Sequence, residues 1–223
     1  MNPLMLSAAR RRKLHLKKTY PNSGPGAIEL ESGDETIGYF GLVAGSEFIT
    51  GAQLASLIGS MPGTALGSNS NAGWLKFMRN GKPLFVARLP FARQISWNDL
   101  NSRNLLTGAR TVVIAGKTYK VRVMTGGDKN PYTAAGGEWN DLMYAVSAGR
   151  PAGYTGLRAA EFSETALGIG TGSNAMRNLC METAASNSAN CMTRGRDNTA
   201  WAGGLQKTDN GTLVYWRPVL EPV

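Results

Sequence analysis

The chain has 223 residues, enough for one large domain or a domain with an extended arm, and it needs no staple to fold. Hydrophobic residues make up 42% and charged residues 17%, and 28 glycines are spread through every region, a mixture that favours many short strands and long loops over long helices. The formal charge of +9 is local: Arg10, Arg11, Arg12, Lys13, Lys17 and Lys18 open the chain with no acid among them, and the remaining 18 basic and 15 acidic residues nearly cancel, to +3.

No stretch approaches the roughly 18 consecutive apolar residues of a membrane helix, so membrane insertion is not expected. The opening MNPLMLSAARRRK fails as a secretory signal because its apolar stretch precedes the charges, which predicts synthesis and retention in a cytosol until assembly moves the protein. The single histidine, His15, lies in the basic run, so the body lacks the commonest general base and any Ser-His or Cys-His nucleophile. Cys180 and Cys191 are too few for a disulfide scaffold and have no histidine near them for zinc. They read as reduced, partly buried thiols, with a disulfide closing CMETAASNSANC as the alternative, worth up to about 3 kcal/mol.

In chain order, residues 1–36 read as an extended basic arm that orders only against a neighbour, anchored through Arg10 to Lys18 on an acidic surface or a phosphate backbone, or else solvated. Aromatic residues that would stack on single strands lie in the body, so nucleic acid is not the expected partner. In ITGAQLASLIG, Thr50 and Gln53 fit a capping box and Leu54, Leu57 and Ile58 share a face, predicting a short helix ended by Gly59. Asn80-Gly81 predicts a type I′ hairpin pairing Trp74–Met78 with Pro83–Ala87. Ser96 caps a short helix that carries Trp97 and Leu100 inward, and a second hairpin turns at Ala115-Gly116-Lys117.

GGEWNDLMYAVS places Trp139, Leu142, Met143 and Val146 at helical spacing. From Arg150 to about Thr199 the composition reads as loop, and a last hairpin is expected to turn at Asp209-Asn210-Gly211 before a closing strand. In that strand Val214, Trp216 and Val219 or Leu220 should fill the core, Arg217 should be held by loop carbonyls or acids, and Pro218 should sit at an edge or bulge.

The motifs that carry chemistry are weak. Glu161 and Glu164 read as a solvated loop rather than an acid/base pair, and GIGTGSN, Gly168 to Asn174, lacks the strand and lysine of a phosphate loop and reads as flexible surface. Trp-Asn-Asp occurs at Trp97 to Asp99 and at Trp139 to Asp141, similar to a calcium-ligand element of C-type lectins, yet no acidic loop supplies converging oxygens. No metal and no cofactor is expected. Trp74, Trp97, Trp139, Trp201 and Trp216 read as core anchors.

The ordered set GWLKF, NGK, LFVA, SWNDL, TYKVRVMTGG, GEWNDLM, RGR and YWRPVLE, over residues 37–223, resembles a domain of virion structural proteins of tailed bacteriophages. The layout is similar to the C-type-lectin-like fold shared with formylglycine-generating enzymes, an α+β domain of short antiparallel strands, two or three short helices and long loops, in which the terminal strands pair with each other. The resemblance implies a non-enzymatic virion component, a tail, baseplate or collar appendage docked on other virion proteins through the arm and forming a homo-oligomer. It would display loops from Asp128 to Tyr132 and from Gly153 to Asn190 to a host cell-surface glycan or protein, with Asp128, Lys129, Asn130, Tyr132, Tyr154, Arg158, Asn174 and Asn187 as recognition residues. A capsid decoration protein is the alternative, and an enzyme of the formylglycine-generating kind a lower one, since nothing near Cys180 or Cys191 argues for an activated thiolate.

Overall fold

The computed structural model describes residues 18–128, 130, 135–159, 161–170, 176–184 and 187–223. Local chemistry sets its first elements. Asn80 and Gly81 take φ of 50° and 75°, the left-handed pair of a type I′ turn, and join β4 (Trp74–Arg79) to β5 (Lys82–Ala87). Ala115 and Gly116, at 47° and 78°, do the same for β7 (Thr107–Ile114) and β8 (Lys117–Arg122). Thr50 and Ser96 each close a capping box, with Gln53 and Asp99, at the starts of α1 (Gly51–Leu57) and α2 (Trp97–Ser102).

The strands form two sheets of mostly antiparallel character, accompanied by a few short helices, an α+β fold. The first sheet runs β1 (Ser32–Gly33), β2 (Ile37–Val43), β4, β5, β13 (Val219–Pro222), β8 and β7. The second runs β11 (Ala202–Gln206), β10 (Asn190–Arg194), β9 (Arg177–Thr183), β12 (Val214–Trp216), β6 (Ala92–Arg93) and β3 (Thr64–Ala65), with β9 and β12 parallel.

Because successive strand residues point to opposite faces, β4 buries both sides. Trp74 joins Phe85, Tyr119 and Leu220 in the core between the sheets, where Leu179, Cys191 and Trp216 come from the second sheet. Leu75 and Phe77 join Val86 and Val219 in a second core under a helix that opens as a π turn, Trp139–Met143, and continues as α3 (Tyr144–Val146). Three layers result, with the first sheet in the middle.

The chain crosses between sheets at Arg217 and Pro218. The Trp216 carbonyl accepts from Phe91 N (3.0 Å) and the Pro218 carbonyl from Ala87 N (3.0 Å), so the proline occupies the crossing, where it has no ladder bond to donate. Val214, Trp216, Val219 and Leu220 are all buried, as the closing strand requires.

Four expectations are corrected. Residues 150–199 are not all loop: β9 and β10 lie there, buried on both faces, so their sequences show no alternation to read. The Asp209–Gly211 turn forms, with Gly211 N donating to Asp209 Oδ1 (2.8 Å), but β11 and β12 lie apart, because β10 takes β11 and β9 takes β12. Leu167, Gly168 and Ile169 are buried instead of forming flexible surface, while residues 171–174 of that motif lie outside the described residues. The terminal strands do not pair: β13 lies between β5 and β8.

The described part of residues 1–36 also differs from a segment waiting for a neighbour. Tyr20 to Ile28 covers the end of the first sheet, Tyr20 packs edge-on to Phe40 (5.7 Å), and β1 pairs with β2.

Candidate functional site

One connected set of buried charges fixes the loop that the sequence singled out. Arg122, near the end of β8, presents its guanidinium fork to Glu138, with Nη1 and Nη2 each 2.7 Å from a carboxylate oxygen, and its Nε donates to Glu221 (2.7 Å). Burial works against its charge, and the Glu138 and Glu221 carboxylates outweigh that effect, so its pKa is raised. Glu138 also accepts from Thr125 N (3.0 Å), and Thr125 Oγ1 accepts from Glu138 N (2.8 Å), a reciprocal clamp that draws residues 125 and 138 together. Arg79, at the end of β4, lies 3.8 Å from Glu138 and donates to Asp141 Oδ2 from Nη2 (2.9 Å) and Nε (3.2 Å).

A second carboxylate holds the start of the same loop. Glu182 on β9 accepts from Gly126 N (3.0 Å to Oε2), and burial raises its pKa against the lowering effect of that amide. The approach needs glycine: a Cβ on Gly126 would stand 2.7 Å from Cys180 Sγ, and one on Gly137 2.4 Å from the Gly127 carbonyl. Asn130 Oδ1 accepts from Thr183 N (2.9 Å), tying the loop to the end of β9.

These ties bound a cleft of about 450 Å³ lined by Arg79, Thr125, Asp128, Asn130, Met181 and Glu182, with Gly127 and Gly137 on its walls. Thus Asp128 and Asn130 share one cleft. Tyr154 and Arg158 form a neighbouring loop: the Tyr154 ring meets Tyr144 edge-on (5.5 Å), its hydroxyl donates weakly to the Asp141 carbonyl (3.4 Å), and Arg158 donates to the Tyr154 carbonyl. Asn187 shapes the turn between β9 and β10, its Oδ1 accepting from Ala189 N (2.9 Å). Lys129, Tyr132 and Asn174 lie outside the described residues.

A larger cavity, about 580 Å³, lies where the basic run joins the body, lined by Lys18, Tyr20, Leu30, Gly33, Asp34, Glu35 and Thr36. Lys18 pairs with Glu35 there, while Arg10, Arg11, Arg12, Lys13 and Lys17 lie outside the described residues.

The tryptophans divide. Trp74, Trp139 and Trp216 are fully buried, whereas Trp97 and Trp201 are half-buried under Lys207 (4.3 Å) and Arg196 (5.7 Å). Arg217 is held by carbonyls, donating to Ala87 O (2.9 Å), Arg88 O and Leu167 O, and to Asn178 Oδ1 (3.1 Å). Burial pushes its pKa down.

The cysteines are free and on opposite faces of the second sheet, Cys191 in the core between the sheets and Cys180 against Gly126. Burial raises both thiols, Cys191 to about 12 and Cys180 well above its ordinary value. Glu164 accepts from Thr199 N (2.6 Å) and Oγ1 (2.7 Å), so it fastens a loop and does not pair with Glu161 for acid/base work. Among the described residues no group of three or more His, Cys, Asp or Glu side chains converges on a metal position.

Composition and spacing did not single out Arg79, Arg122, Glu138 or Glu182. The only signal is the presence of charge inside strands and a helix that are otherwise apolar, as in KVRV and CMET. Compared with family models, curated proteins and solved structures, the chain matches none.

Proposed function

We propose that the protein is a non-enzymatic structural component of a tailed phage particle, a tail, baseplate or collar appendage. It docks on neighbouring virion proteins through its basic arm and displays a loop-rich domain of C-type-lectin-like kind toward a host-surface glycan or protein. The observation that supports a display role best is the use of the interior charges. Arg122, Glu138, Glu182 and Arg217 each bond backbone or a fixed partner, and Glu138 and Glu182 clamp both ends of the loop that carries Asp128 and Asn130. Recognition residues are held best when their supporting side chains are themselves locked.

The thiols bear on the enzymatic alternative. Nucleophilic cysteine is a thiolate in an electropositive, partly exposed setting, and burial holds Cys180 and Cys191 in the opposite state. The pairing of β13 with β5 and β8 is a departure from the resemblance, while the short helices and long clamped loops accord with it.

The test is a reconstruction of particles in which the protein carries a label on the β9–β10 turn. Density at the tail, baseplate or collar is expected, with the loop face outward. Copies spread over the head lattice would replace this role with that of a capsid decoration protein, and absence from particles would refute both.

A further inference from the structure

Lys76 lies in the middle of β4, fully buried, between Gly41 of β2 and Phe85 of β5. Its Nζ donates to Ser23 Oγ (2.9 Å), Gly24 O (3.3 Å) and Ala27 O (2.6 Å), so each of its three hydrogens has an acceptor on one segment, Tyr20 to Ile28. The rings of Phe40 and Phe85 stand 4.6 and 5.8 Å from the nitrogen. No carboxylate oxygen lies within 4 Å of it among the described residues. A buried ammonium compensated by dipoles and ring faces, with no counter-charge, is costly to desolvate.

The covering segment is closed on itself. Tyr20 N donates to Ile28 O (2.7 Å), Ser23 N to Tyr20 O (2.9 Å), and Thr19 bridges Glu29. Gly24 and Gly26 lie flat on the sheet, where a Cβ would meet Phe85 at 3.0 Å and Val43 at 2.5 Å. Apart from the β1–β2 pairing that follows, its polar fastening to the body among the described residues is Lys76 Nζ, which as a neutral amine can still donate to both carbonyls and accept from the Ser23 hydroxyl.

We propose that the Tyr20–Ile28 segment is a strap whose opening takes up a proton at Lys76, so that it is held less firmly at neutral pH than at alkaline pH. With the strap closed, Nζ is shut away from water; with the strap open, it is an ordinary solvated lysine. Burial, with a smaller contribution from the Lys117 charge, pushes the closed-state pKa from 10.5 down to about 8. Between those two values the open state binds more protons than the closed state. Closure therefore strengthens as pH rises through that window, and below it both states are charged and the strap is at its loosest.

The groups facing Lys76 leave that sign in place up to about pH 10, above which the Tyr119 phenol, raised by burial under Gly24, works the other way. The strap has no titratable residue between Tyr20 and Glu29, and from β2 the Phe40 ring faces the nitrogen at 4.6 Å. The Glu31 carboxylate stands over Gly41. From β5 comes Phe85, with Lys82 at the strand's start, and from β8 come Lys117 and Tyr119, whose phenol burial holds above its ordinary value. The strap is the root of the basic arm, and releasing residues 18–31 would lengthen the arm's reach by about 40 Å.

Hydrogen exchange on the full chain from pH 7.5 to 10, corrected for intrinsic exchange, tests the inference. The opening constant of peptides spanning residues 20–31 is expected to fall by up to about tenfold per pH unit above 8, roughly 60-fold in all between pH 7.5 and 10, while β5 peptides show no such slope. Lys76→Met and Lys76→Arg change the strap's absolute protection, but each should abolish the slope, since neither side chain titrates there. A flat wild-type profile, a slope that survives in Lys76→Met, or an equal slope in β5 would overturn the proposal.

Discussion

Replacing Glu138 with glutamine tests whether the buried charge set behaves as a single unit. Glu138 receives two bonds of 2.7 Å from Arg122, and both groups are nearly inaccessible, with side-chain exposures of 7% and 5%. Each bond to a charged group contributes about 1.5–3 kcal/mol. Glutamine keeps an acceptor for Thr125 N but turns an amide N–H₂ toward the other guanidinium arm, leaving Arg122 with Glu221 as its one carboxylate. Breaking a buried pair costs about 3–5 kcal/mol, and the surviving Glu221 bond places the expected loss at about 3 kcal/mol.

Urea unfolding with an unchanged m-value measures it. Adding Arg122→Met to Glu138→Gln removes the stranded charge and should recover at least about 1.5 kcal/mol, because the cost lies in the unpaired cation and not in the missing contact. A single substitution that leaves the midpoint in place, or a double variant less stable than the single, refutes the reasoning.

Gly137→Ala adds a Cβ 2.4 Å from the Gly127 carbonyl at φ +76° and should cost about 2–3 kcal/mol, whereas Gly81→Ala, with φ +75° and open space, should cost about 1 kcal/mol; thermal unfolding of both compares clash with strain alone. Cys180 and Cys191 should resist a thiol reagent at pH 8 in the native protein and react fully in denaturant, and rapid native labelling of either would contradict their burial. A chain truncated after Tyr215 loses the buried Trp216, Arg217, Val219 and Leu220 and should show no cooperative unfolding by circular dichroism; a monodisperse, cooperatively melting product would overturn the assignment of the closing strand.

What was legible in the sequence was what neighbours in the chain decide. The Asn80-Gly81 turn, the Thr50 and Ser96 caps and the apolar face of Trp139 to Val146 depend on residues within a few positions of one another, and each formed as read. Asp209-Asn210-Gly211 shows the limit: the turn is local and correct, while the partner of each flanking strand is chosen by distant residues and was misassigned. β9 and β10 were invisible because strands buried on both faces carry no alternation, and their Gly, Ala, Ser and Asn neighbours dominate the composition. In the site, Asp128 and Asn130 were named from the resemblance and not from local pattern, and both line one cleft. Their supports were not legible, since Arg122 and Glu138, or Gly126 and Glu182, meet only when β8, β9 and the helix at Trp139 pack.

The position of β13 has a consequence for how the chain is made. Its two neighbours, β5 and β8, belong to hairpins complete by residue 122, yet the strand that zips them together begins at Val219. At a synthesis rate of about 5–20 residues per second, the ribosome leaves those hairpins unjoined for about 5–20 s. During that interval each offers an open edge to any passing strand. Residues 20–28, already emerged and able to cover one face of β4 and β5, would shield part of that surface while the sheet waits for its central strand.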